Sequence, residues 1–246
     1  MSALPVEIKN LYYDNGFKLK IEKLTIEDKK ITGIIGPNGS GKSTLLNIII
    51  NYIKEWSGKI YINGRDVKEI PHIERARLIG IVFQEIPSTM NLKAIDVIEM
   101  SRYNDDQDDE LINKISTSTG IKDLLYKDFN RLSGGERRLV MLASVMYRDP
   151  DIVMLDEPNS FLDPNHESRL FKIIKDMKNS GKTIIIVLHD VNLAYMLCDN
   201  IIAMKNGSLF MSGTNEIVNL NNMERLYDTG FMEISDGRAK FLFPKF

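Results

Sequence analysis

"GPNGSGKST", residues 36–44, lies between a short apolar run, "KITGII", and a helical segment, "LLNIIINYI". Gly36 to Ser43 fit the pattern G-x-x-x-x-G-K-[ST] without a mismatch, in the strand–loop–helix setting that gives the pattern its meaning. Gly36, Gly39 and Gly41, with Pro37, Asn38 and Ser40 between them, let the backbone curl so that successive N–H groups face phosphate oxygens. Lys42 can reach the β- and γ-phosphates as a point charge. The Ser43 hydroxyl can ligate Mg²⁺, and Thr44 caps the same helical turn. A glycine turn beside an ordinary surface lysine would need neither flank.

Around this loop the chain alternates. "KITGIIG", "RLIGIVFQ", "PDIVMLDE" and "KTIIIVLHD" are continuously apolar, as strands buried on both faces of a parallel sheet are. Helical segments such as "HESRLFKIIKDMKNS" lie between them, so the expected core is α/β with a mostly parallel sheet. The opening segments "VEIKNLYYD", "FKLKIEKLTIED" and "GKIYING" alternate instead, like half-exposed antiparallel strands. A turn is expected at Asn63–Gly64. Residues 87–150 read as helical and are expected to form a subdomain inserted into a core made of 1–86 and 151–246. The acidic run "NDDQDDE" at 104–110 reads as a solvated loop or helix start.

Carboxylates and amides sit where apolar strands end. "DIVMLDEP" finishes in Asp156, placed to hold Mg²⁺ directly or through water. Glu157 follows, aimed differently, and can polarise an attacking water. Gln84 ends "IGIVF" and His189 ends "TIIIVL". Ligands of open α/β sheets bind beyond the carboxyl ends of the strands, so Lys42, Gln84, Asp156, Glu157 and His189 are expected at one edge. Gln84 offers an oxygen to metal or water, and His189 a donor to a γ-phosphate oxygen. A second glycine-rich helix start, "NRLSGGERR" at 130–138, is also suited to phosphate. One nucleotide needs only one such loop, so the second calls for an explanation.

The order "GPNGSGKST", Gln84, "LSGGE", "VMLDEP", "SFLD", His189 resembles the nucleotide-binding subunit of ABC transporters over nearly the whole chain. "LSGGE" is similar to that family's signature. The resemblance implies a head-to-tail homodimer in which each ATP lies between the phosphate loop of one subunit and Ser133, Gly134 and Gly135 of the other. It also implies that Asp163 communicates across the dimer and that Gln84 senses integral membrane permease subunits. Leu139 and Ser144 stand where the family often has arginine, and Phe161 where a small residue is usual. These departures touch local salt bridges rather than phosphate or metal ligands. Tyr13 is the first candidate to stack on adenine, ahead of Tyr12 and Phe17. "VLHDVNLAYMLCDNIIAMKNGSLFMSG" and "DVIEMSRY" are similar to stretches of the ATPases that power import of iron chelates, haem and cobalamin, which implies a separate cargo-binding protein.

Bulk properties agree. The chain has 246 residues, 43% hydrophobic and 27% charged, with formal net charge −2. No basic footprint for nucleic acid is present. The single cysteine, Cys198, cannot form an intrachain disulfide and reads as a buried apolar thiol. The N-terminal residues do not have the pattern of a signal peptide. No apolar run approaches the ~20 residues of a membrane span, so the expected location is the cytoplasmic face of the membrane, beside partners that span it. The alternatives are an exporter ATPase, or a soluble ABC ATPase acting on nucleic acid or ribosomes. The latter is disfavoured because the chain has neither a long coiled-coil insertion nor a second cassette. A regulator that binds ATP without hydrolysing it is disfavoured by Glu157 and His189.

Overall fold

The computed structural model describes residues 4–83, 91–102, 108–160, 162–235 and 240–245. In chain order, β1 (Val6–Asp14) and β2 (Lys18–Ile26) lead to β3 (Ile31–Ile35) and α1 (Lys42–Ile49). β4 (Trp56–Ile62), β5 (Arg65–Asp66), α2 (His72–Leu78) and β6 (Ile79–Val82) follow. A helical stretch holds α3 (Ala94–Glu99), α4 (Asp109–Thr119) and α5 (Gly134–Arg148). Then come β7 (Ile152–Asp156), α6 (Pro164–Asn179), β8 (Thr183–Val187) and α7 (Val191–Leu197). The chain finishes with β9 (Asn200–Lys205), β10 (Ser208–Thr214), α8 (Leu220–Tyr227), β11 (Phe231–Ser235) and β12 (Lys240–Pro244).

The chain divides into two compact units, residues 1–75 with 185–246, and residues 76–184. In the first unit the strand order is β5-β4-β1-β2-β10-β9-β3. β1 pairs antiparallel with β2 and with β4, which is the alternating layer expected from the opening segments. Asn63 and Gly64 both take positive φ, 49° and 81°, as a two-residue hairpin turn between β4 and β5 requires. β3 runs parallel to β9, and all five of its residues are buried. The Leu188 N–H donates to the Ile34 carbonyl at 3.1 Å, so the residues following β8 run beside the end of β3. Cys198 is buried with its sulfur against Gly33, and burial pushes its thiol pKa up to about 12, as an inert thiol requires.

In the second unit β6 pairs parallel with β7, and the Thr183 N–H reaches the Asp151 carbonyl at the start of β8. β7 and β8 are buried at every position, as doubly covered parallel strands are. The helices of residues 87–150 group with β6, β7 and α6 rather than by themselves. The physical reason is a shared core. Val145 and Pro150 close over Gly80, and the Arg148 guanidinium donates to the Ile79 carbonyl at 3.0 Å. Of the acidic run, residues 104–107 lie outside the described residues. Asp108 caps α4 by accepting the Leu111 N–H at 2.9 Å, a helix start as expected.

Candidate nucleotide site

The phosphate loop belongs to the first unit, and its form is dictated by what crowds it. Gly36 has φ 145°, and a Cβ there would lie 2.1 Å from the Met204 carbonyl oxygen. Only glycine takes that backbone conformation and that contact. Gly41, at φ 98°, is the N-cap of α1, and a Cβ there would lie 3.0 Å from the Phe17 ring. Lys42 is buried, and its ammonium donates to the Gly36 and Pro37 carbonyls at 2.9 and 3.0 Å. The loop is thus curled around its own lysine. The Ser40 N–H closes a turn on the Pro37 carbonyl at 3.2 Å, and the Gly207 N–H fastens the Ser40 carbonyl at 3.2 Å. Asn38 and Gly39 are exposed at the tip, and Ser43 and Thr44 are half-buried on the first turn of α1.

Two further candidates stand in the same unit. His189 is exposed, one residue past the bond from Leu188 to the strand that leads into the loop. Tyr13 lies on the face of β1 that buries Leu11 and is half-buried at the strand end. Tyr12 faces outward, with its hydroxyl on Asp14 at 3.0 Å. Phe17, placed behind Tyr13 from sequence, is the ring that lies against Gly41. A sequence has no signal for that contact, because it depends on the turn at Asn15–Gly16 folding Phe17 back.

The second unit holds the acidic pair and the signature stretch. Asp156 and Glu157 are 5% and 8% exposed. Glu157 has φ 48°, a left-handed conformation uncommon outside glycine and worth about 1–3 kcal/mol of strain. Its carbonyl is held by the Arg138 guanidinium at 2.9 Å and by the Ser160 N–H at 3.2 Å. Burial lowers the Arg138 pKa, and the negative charges of Asp156 and Glu157 oppose that shift. Arg138 is therefore a site residue that the sequence reading passed over. It stands beside Leu139, whose departure from the family pattern had put the local salt bridges in question.

Ser133 is the N-cap of α5. Its hydroxyl accepts the Glu136 N–H at 3.2 Å, and the Glu136 carboxylate accepts the Ser133 N–H at 2.8 Å. This capping box explains the serine and the glutamate by local structure alone, and the Ser133 N–H bond lowers the Glu136 pKa. It does not explain Gly134, where a Cβ would meet nothing within 4 Å among the described residues. Gly135 faces Leu162 and His166 at 3.3 and 3.4 Å. Asp163 caps α6, accepting the Asn165 and His166 N–H groups at 2.9 and 3.0 Å, and it pairs with the His166 ring at 2.6 Å. These bonds lower its pKa, the His166 N–H contributing most. Gln84 and Phe161 lie outside the described residues.

The family model described as "ABC transporter" matches residues 19–160. Among curated relatives, the petrobactin import ATP-binding protein YclP of Bacillus subtilis (strain 168) is 35% identical over 233 residues, 91% of this chain and 92% of that one. The ferric enterobactin transport ATP-binding protein FepC of Escherichia coli (strain K12) is 32% identical over 227 residues, 87% of this chain and 84% of that one. Among solved structures, the dimeric cassette MJ0796 superposes with a TM-score of 0.76 at 27% identity, covering 85% of this chain and 98% of that one. The glycine loop that can hold only glycine, the buried acidic pair and the signature helix agree with these likenesses: the chain belongs to the ABC transporter family, as one of its ATP-hydrolysing cassettes.

Proposed function

We propose that this chain powers an importer whose cargo is a metal chelate, haem or a cobalamin-type compound. It works as a head-to-tail homodimer on the cytoplasmic face of the membrane. The observation that carries the import reading is the match to YclP over nine-tenths of both chains, a protein described as importing petrobactin. No helix among the described residues is long and apolar enough to cross a membrane, and integral permease subunits are proposed to do so, with a separate protein delivering cargo. Residues 87–150, with Gln84, are the proposed segment that meets the permease.

In this reading the N–H groups of Gly36–Thr44 and the Lys42 ammonium bind the ATP phosphates. Tyr13 stacks on adenine, and Phe17 supports the loop from behind. Ser43, Asp156 and Gln84 are hard oxygen donors of the type Mg²⁺ takes, and would hold it against the phosphates, where it offsets their charge. Glu157 orients and deprotonates water, and His189 donates to the γ-phosphate. The partner's copy of the signature stretch closes the site, and Asp163 joins the contact across the dimer. Gly134 supports the sandwich, since open space over a helix N-terminus leaves room for an anion.

The test is deletion of the gene, followed by uptake of labelled ferric siderophore, haem and cobalamin. Loss of one uptake, restored by the intact gene, is expected. Normal uptake of all three with a new efflux defect would overturn import.

A further inference from the structure

α8 carries Tyr227 to a place that the nucleotide chemistry above does not use. Lys205, at the end of β9, holds the C-terminal end of α8 by donating to the Arg225 carbonyl at 2.5 Å and the Asp228 carboxylate at 2.7 Å. The preceding residue, Met204, is the one whose carbonyl crowds Gly36. Tyr227 lies between the two anchored positions, its ring tilted against Phe231 at 6.0 Å. Its hydroxyl is buried and makes no hydrogen bond of full geometry among the described residues. The Gly36 N–H is within its reach, and the Asp190 charge acts on it. Burial pushes the phenol pKa up to about 12, so the group keeps its proton. Asp190 uses one oxygen to cap α7, accepting the Asn192 and Leu193 N–H groups at 2.8 and 3.3 Å.

A buried hydroxyl without a well-formed bond costs stability and calls for an explanation. We infer that Tyr227 is a positioning residue for the phosphate loop: in the nucleotide-bound state its oxygen accepts the Gly36 N–H and its O–H donates to Asp190. The inference rests on the reading of residues 36–44 as the phosphate site. The physical route is short. The peptide before Gly36 is then fixed by Tyr227, and the carbonyl after it is already held by Lys42 at 2.9 Å. Fixing both sides of a residue at φ 145° keeps the loop in the one conformation that presents its N–H groups. Asp190 adjoins His189, so the same hydroxyl ties the loop to the residue proposed to donate to the γ-phosphate. The C-terminal segment thereby gains a direct hold on nucleotide affinity.

The experiment uses the full chain and compares Tyr227→Phe with Tyr147→Phe. Tyr147 is a buried tyrosine whose hydroxyl accepts the Asp108 N–H at 3.0 Å, in the other unit. Loss of one hydrogen bond predicts a rise of about three- to tenfold in Kd and KM for ATP in Tyr227→Phe, with kcat within about twofold. Tyr147→Phe should leave Kd and KM unchanged. Asp190→Asn retains the helix cap and should also raise KM, with kcat preserved. Unchanged ATP affinity in Tyr227→Phe, or an equal loss in Tyr147→Phe, would overturn the inference. Lys42→Ala separates the two levels. If Lys42→Ala binds ATP like wild type, the phosphate-site reading itself fails. If it does not, and Tyr227→Phe does, only the role of Tyr227 falls.

Discussion

Gly36 and Gly134 each stand at the approach to a helix start, yet a side chain would be received differently at the two. At Gly36 the chain's own Met204 carbonyl occupies the Cβ position, 2.1 Å away, and the backbone is held at φ 145°. At Gly134 nothing else among the described residues lies within 4 Å of a Cβ, and the residue is helical. The first glycine is required by the fold. The second is not, and glycine costs a helix about 0.5–1 kcal/mol relative to alanine. We propose that a glycine the described residues do not need, exposed at a helix N-terminus, serves something arriving from outside. That difference is the physical content of having two phosphate-suited stretches in one chain.

The largest effect expected concerns the site as a whole rather than either glycine. Glu157→Gln retains shape and removes the proposed base, so ATP hydrolysis should fall about 10²–10⁴-fold while ATP binding persists. Phosphate release and size-exclusion chromatography with ATP check this. A stable dimer with ATP sharpens the contrast between the two stretches, because in the proposed sandwich only closure brings in the second. Hydrolysis near the wild-type rate would remove Glu157 from the chemistry.

A smaller effect separates the two glycines directly. Gly36→Ala forces a shift against backbone and a strained φ, and should destabilise the fold by about 1–3 kcal/mol and weaken ATP binding. Gly134→Ala should leave thermal stability unchanged or raise it by up to about 1 kcal/mol. ATP binding to the monomer should also persist, while hydrolysis falls. Thermal melts, ATP titration and phosphate release read the three quantities. Destabilisation by Gly134→Ala, with hydrolysis per folded molecule intact, would show that its glycine serves the fold after all.

Most of the layout follows from patterns local enough to read along the chain. β3, β7 and β8 are unbroken apolar runs, and the loop after β3 carries an eight-residue motif with no mismatch. Contacts made by distant folding were not legible. The Phe17 ring reaches Gly41 only through a turn, and the Arg138 guanidinium meets the Glu157 carbonyl across 19 residues. The positive φ of Glu157 has no sequence signal either, since glutamate is not a residue that favours it. The grouping of α3, α4 and α5 with β6 and β7 depends on side chains such as Val145 packing over Gly80, which composition does not reveal.

The central claim is that the phosphate loop of one chain and the signature stretch of another serve the same nucleotide. Cysteine crosslinking tests it with little background, because Cys198, the chain's single cysteine, is buried. Asn38→Cys lies at the exposed loop tip, and Gly134→Cys enters open space. The two substitutions are placed on separately tagged chains in the Glu157→Gln background, mixed, and oxidised with and without ATP. The account predicts a mixed crosslinked dimer that forms with ATP and not without it. Absence of that dimer with saturating ATP, together with a crosslink inside single chains that carry both cysteines, would contradict it.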